Sequence, residues 1–108
     1  MESAHKLLDL FQTGDISKEA FGRRMRIVRK LTTDTLEQRA IKMGTTGNNL
    51  QSLETADSGS HPNIAWIGWV MDNTPADANF VISGEYTKLT YEAIEQLAAV
   101  AHEVPYNK

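Results

Sequence analysis

Residues 18–31 read KEAFGRRMRIVRKL, and the spacing of their apolar members constrains this chain more than any other feature. Phe21, Met25, Val28 and Leu31 recur at intervals of four, three and three, the stripe of an α-helix, with Ile27 at its edge and Leu36 further along it. A strand would scatter the same set over both faces of a sheet. The spacing predicts one helix through KEAFGRRMRIVRKLTTDTLEQRAIKMG, ended by Gly44 and bent or broken at Thr32–Thr35, where three threonines and an aspartate form helix poorly. That stripe must be buried against other elements, because the chain has no Cys and no disulfide can hold it.

The element before it is a shorter helix, HKLLDLF, whose Leu7, Leu8 and Phe11 need a neighbour to cover them. Between the two lies a turn with the rhythm of a calcium loop. With Asp9 as its first position, however, Phe11 stands third and Ala20 twelfth, where a cation needs oxygen donors. The turn therefore reads as a helical hairpin, with Gly14 closing the first helix and Asp15 or Ser17 capping the second. No metal or other cofactor is expected. His5, His61 and His102 stand apart without ligand spacing, and no nucleophile elbow, dinucleotide fingerprint or phosphate loop is present.

Residues 44–61, GTTGNNLQSLETADSGSH, read as a mobile loop or linker within a single domain spanning 1–108, with Leu50 and Leu53 as a short docking turn. The run Ile64–Met71 is apolar and compatible with strand or buried helix. Phe80, Ile82 and Tyr86 alternate with Val81, Ser83 and Glu85 as in a half-buried strand, which favours a β-hairpin turning at Pro75. TYEAIEQLAAVAHEV begins at a Thr90 cap, aligns Ile94, Leu97, Ala98 and Ala101, and stops before Pro105. The expected fold is α+β, mostly helical: an N-terminal helical hairpin, one short β-hairpin or strand, and a C-terminal amphipathic helix.

Charge is unevenly spread. Residues 18–42 hold eight cations against three carboxylates, a local charge of +5 in a chain of net charge −3. Arg23, Arg26 and Lys30 form a stripe opposite Phe21, Met25 and Val28, flanked by Arg24 and Arg29. With Trp66 and Trp69 as apolar anchors, these seven residues are the candidate partner-binding set. The implied function is a non-enzymatic protein-binding module, an adaptor of viral or phage type, with an acidic protein partner. The alternative is a small dimeric nucleic-acid-binding regulator, which the pI near 5.5 disfavours. The alanines of the last helix permit close approach to another element or to a second copy. No leader and no apolar run of about 18 residues is read, so cytoplasmic residence without membrane contact is expected.

The IGWV segment, Ile67–Val70, followed by NFVISGEY and a closing amphipathic helix, resembles the C-terminal, nucleoprotein-binding domain of rhabdovirus phosphoproteins over residues 64–103. The resemblance implies that 64–72 is helical, that Trp69 is the family's partly exposed tryptophan, and that a basic patch binds a viral nucleoprotein. The GTTGNN…SGS stretch has no counterpart in that family.

Overall fold

A computed structural model describes residues 3–57 and 63–107. Among the described residues seven helices follow one another: α1 (Ala4–Leu10), α2 (Lys18–Leu31), α3 (Leu36–Met43), α4 (Gly47–Thr55), α5 (Ile64–Asn73), α6 (Ala78–Ser83) and α7 (Tyr91–Ala101). Each begins at a Ser, Thr, Asn or Asp whose side chain accepts a backbone N–H of the first turn: Ser3, Ser17, Thr35, Thr46, Asn63, Asp77 and Thr90. At Thr35 the cap is reciprocal, since the Gln38 side chain accepts the Thr35 N–H. The Thr32–Thr35 stretch thus breaks the long helix into α2 and α3, and Gly44 ends α3 in the left-handed conformation.

α2 is the central element and packs against α4, α6 and α7; α3 packs on α4 and α5, α5 on α6, and α1 on α7. Phe11, Met25, Ile27, Val28, Phe80 and Leu97 are fully enclosed. The Phe11 ring meets Phe80 edge-on at 5.1 Å and Tyr86 at 5.7 Å. α1 turns Leu7, Leu10 and Phe11 inward and leaves Leu8 exposed, so its buried set is shifted from the expected Leu7, Leu8 and Phe11.

The α+β expectation is corrected: among the described residues there is no strand, and the domain is all-helical. Residues 64–73 are α5, closed by Thr74, whose hydroxyl donates to Val70 O at 2.7 Å, and followed by Pro75. Residues 78–83 are α6, so the alternation read from Phe80, Ile82 and Tyr86 does not describe a strand. Phe80 and Val81 are adjacent and both buried, which a strand cannot do with one covered face. With 64–73 helical, a strand at 80–86 would also lack a ladder partner. Residues 47–55, read as loop, form α4, because Leu50 and Leu53 sit three apart and bury on α2. Of that stretch, 58–61 lie outside the described residues.

Gly84 fixes the end of α6. Its φ is +74°, and a Cβ there would stand 2.5 Å from Phe11 O and 2.9 Å from Thr13 Cα. The approach is held by Thr13 Oγ1 donating to Gly84 O at 2.6 Å and Gly14 N donating to Ser83 O at 2.8 Å. Gly44 has a similar φ of +75° but open space around it. Gly44→Ala should therefore cost only the left-handed penalty, about 1 kcal/mol. Gly84→Ala should cost clearly more, and urea unfolding of the two variants measures the difference.

Candidate functional site

The five candidate cations of α2, Arg23, Arg24, Arg26, Arg29 and Lys30, do not share one face. Arg23 is buried; its Nε donates to Val104 O at 3.1 Å, Nη1 to Leu10 O at 2.6 Å, and Nη2 to Ala101 O at 3.1 Å. Its guanidinium lies 4.2 Å from the Tyr106 ring centroid. Arg24 is also enclosed and donates to five carbonyls: Val81, Phe11, Gln12, Asp15 and Ile82, at 2.7–3.1 Å. Burial pulls its pKa down to about 10, with Arg23 adding to the fall and Asp15 opposing it, so it stays charged at neutral pH. Burial lowers Arg23 as well.

Arg29 forms a paired set of bonds to Glu54, with Nε–Oε2 at 2.8 Å and Nη2–Oε1 at 3.0 Å, and its Nη1 donates to Asp34 O. Arg26 is half-buried beside a small cleft with Gln51 and Thr55, and Lys30 is exposed. Of the expected basic face, Arg26 and Lys30 are the members that reach water without an internal carbonyl or ion-pair partner among the described residues.

The calcium-like turn proves to hold a cation of another kind. Phe11 O, Gln12 O and Asp15 O converge on the Arg24 guanidinium. Ser17 caps α2, and Asp15 Oδ1 accepts the Ser17 N–H at 2.9 Å. Among the described residues no group of three or more His, Cys, Asp or Glu side chains is placed to hold a metal.

Trp66 and Trp69 lie on α5, three residues apart and both half-buried against the core. Only Val70 of this helix is fully buried. Ile64 is 87% exposed and Met71 52% exposed, and Ala65 is also in water. No charge occurs from Asn63 to Met71. The helices packed against α5 add Ile41 on α3, 77% exposed, and Ile82 on α6, 45% exposed. The α5 outer side is therefore an apolar helix face without a partner within the described chain.

Beside it, between α3 and α5, is an open cleft of about 340 Å³ lined by Thr32, Asp34, Lys42, Trp69 and Asn73. Arg39 stands behind its wall: Nε donates to Asp34 Oδ2 at 3.1 Å, Nη2 donates to Thr32 Oγ1, and the guanidinium lies 4.5 Å from the Trp69 ring centroid. Its Nη1 is buried and finds no partner among the described residues. Lys42 Nζ donates to Asp34 Oδ1 at 2.8 Å. The Asp34 carboxyl is held below its ordinary value, first by Lys42 and then by Arg39, against the opposing effect of burial.

The sequence reading missed Arg39, Asp34, Ile64, Met71 and Ile41. For Ile64 and Met71 the signal was available, since residues seven apart share a helix face. For Arg39 and Trp69, thirty positions apart, sequence spacing carried none. Comparison with protein-family models, with curated proteins and with solved structures finds no match for this chain. Among the described residues, no helix is long and apolar enough to cross a membrane.

Two outcomes follow for the buried charges. Arg24→Met should cost more than about 3 kcal/mol, because several enclosed carbonyls lose their donor, whereas Lys30→Met should be nearly neutral by urea unfolding. Because the folded Asp34 pKa is depressed, its contribution is complete above the unfolded carboxyl value of about 3.9 and is lost as pH falls below it. Asp34→Asn should thus lower the urea midpoint at pH 7 and flatten its decline below about pH 4.

Proposed function

We propose that this chain is a non-enzymatic protein-binding module that docks its partner on the outer face of α5. The observation that carries this reading is a helix with an unbroken uncharged run from Ile64 to Met71, of which a single residue is fully buried. Exposed Ile64 and Met71 would gain from burial, and Trp66 and Trp69 beneath them supply a rigid base. An acidic partner retains the support of Arg26 and Lys30 on α2. A nucleic-acid-binding role has less support, since Arg23 and Arg24 are spent on carbonyls and Arg29 on Glu54.

The likeness to rhabdovirus phosphoprotein domains stays a proposal. The helical state of 64–73 and the half-buried Trp69 favour it, while the helix at 78–83 removes the strand on which its element order rested.

The test is a double substitution, Ile64→Asp with Met71→Asp. Both side chains are already in water, so the helical circular dichroism and melting temperature should hold. The immobilised wild-type chain should retain a specific protein from its native host, and the double variant should lose it. Undiminished retention by the variant would remove α5 from the account, and loss confined to Arg26→Glu with Lys30→Glu would move the site to α2.

A further inference from the structure

Arginine and lysine are used differently along this chain. The cations that stand exposed among the described residues are lysines: Lys6, Lys30, Lys42 and Lys88. Four of the five arginines donate to acceptors of the fold: Arg23 and Arg24 to backbone carbonyls, Arg29 to the Glu54 carboxylate, and Arg39 to Asp34 and Thr32. Arg26 is the exception. It is half-buried, as Arg29 is, yet it has no hydrogen bond, ion pair or ring contact among the described residues. It lines a cleft of about 170 Å³ between α2, α3 and α4, together with Arg29, Leu36, Gln51, Glu54 and Thr55. The carboxylate of that lining is already engaged: Glu54 is 3% exposed and accepts Arg29 Nε on both oxygens and Nη2 on Oε1. Two cations against one carboxylate leave the lining positive, and Lys30, one turn along α2 from Arg26, adds a further positive charge beside it.

Resting on the reading of this chain as a protein-binding module, we propose that the cleft between α2 and α4 takes an Asp or Glu side chain of the partner, its carboxylate paired with the Arg26 guanidinium. Charge complementarity selects an anion, and the use of arginine selects a planar one. A guanidinium offers two parallel N–H donors to the two oxygens of a carboxylate, where an ammonium offers a point charge. Half-burial strengthens the pairing, because water screens it less than at an open surface. Leu36, packed against the core, gives the incoming methylene stem an apolar wall. The Thr55 hydroxyl already donates to Gln51 O, but the Gln51 side-chain amide has no partner among the described residues and supplies a further donor. Size decides between a side chain and a free ligand. The cleft falls below the roughly 300 Å³ of a small-molecule pocket, so it suits one charged group presented on a larger body. A nucleic-acid backbone would need a track of free cations, and the other four arginines are engaged inside the fold.

The probe is a capped oligoglutamate peptide, with capped oligoglutamine as its uncharged control, followed through the arginine Nε–H signals of the isotope-labelled full chain. The Arg26 signal should shift saturably with oligoglutamate and stay still with oligoglutamine, while those of Arg23, Arg24 and Arg39 should not move. Arg26→Lys keeps the charge and removes the fork. It should weaken binding at least about fivefold, whereas Lys30→Gln should weaken it less. Arg26→Gln should leave the melting temperature equal or higher, since no bond of the fold depends on this side chain and a like-charge neighbour of Arg29 and Lys30 is removed. Inorganic phosphate is the competing arm. A silent Arg26 signal, its saturation by phosphate at lower concentration than by oligoglutamate, undiminished binding by Arg26→Lys, or a melting temperature lowered by Arg26→Gln each overturns the proposal. The α5 reading fails separately. A host protein retained by the wild type and by the Ile64→Asp, Met71→Asp variant but lost by Arg26→Lys keeps this cleft and removes α5, whereas the opposite pattern removes the cleft and keeps α5.

Discussion

Two adjacent arginines on α2 hold the ends of three other helices. A helix leaves its last carbonyls without intrahelical donors and carries a partial negative charge at that end. Arg23 takes Leu10 O at the end of α1, and Ala101 O and Val104 O at and beyond the end of α7. Arg24 takes Phe11 O beyond α1, and Val81 O and Ile82 O in the last turn of α6. The two guanidiniums thus satisfy the carbonyls of three converging C-termini, and the dipoles of those helices help to offset their charges. This is why two cations can sit in the interior of so small a domain. It also fixes where α1, α6 and α7 must end relative to α2.

That arrangement explains what the sequence concealed and what it disclosed. Arg24 stands three residues after Phe21 and four before Val28, inside the apolar stripe, and Arg23 stands three after Ala20 and four before Ile27, both enclosed. Their positions pointed inward, but counting charge along the segment treats every cation as solvated. An arginine has enough donors to be satisfied by backbone alone, so its burial needs no acid nearby in sequence to announce it. The calcium-like rhythm of residues 9–20 had the same hidden logic. A loop that curls its carbonyls around a cation was legible, and the cation came from the following helix.

The helix starts were written plainly, since every one is a capping side chain, and the stops at Gly44 and Gly84 are left-handed glycines. The misreadings fell where hydrophobic period was measured over too few residues. Phe80, Val81 and Ile82 fit a strand or a turn and a half of helix equally well until one asks what would pair with the strand. Leu50 and Leu53 were obscured by the Gly, Asn and Thr around them, although two leucines three apart are enough to seat a short helix once Gly22 lets α4 lie close on α2. In both places tertiary packing, rather than local propensity, decided the conformation.

α5 differs from the rest in how it is held. It packs on α6 and α3, through fully buried Val70 and the half-buried tryptophans, with Trp69 resting on the Arg39 guanidinium. Arg39 is in turn fixed by Asp34 and Thr32 from the α2–α3 break, so the orientation of α5 depends on the same stretch of weak helix formers that divides the long helix in two. The arginine anchors of α2 lie elsewhere, at the C-terminal ends of α1, α6 and α7. Stability and the apolar outer face consequently rest on separate sets of residues, and a surface helix anchored along one side is free to present the other.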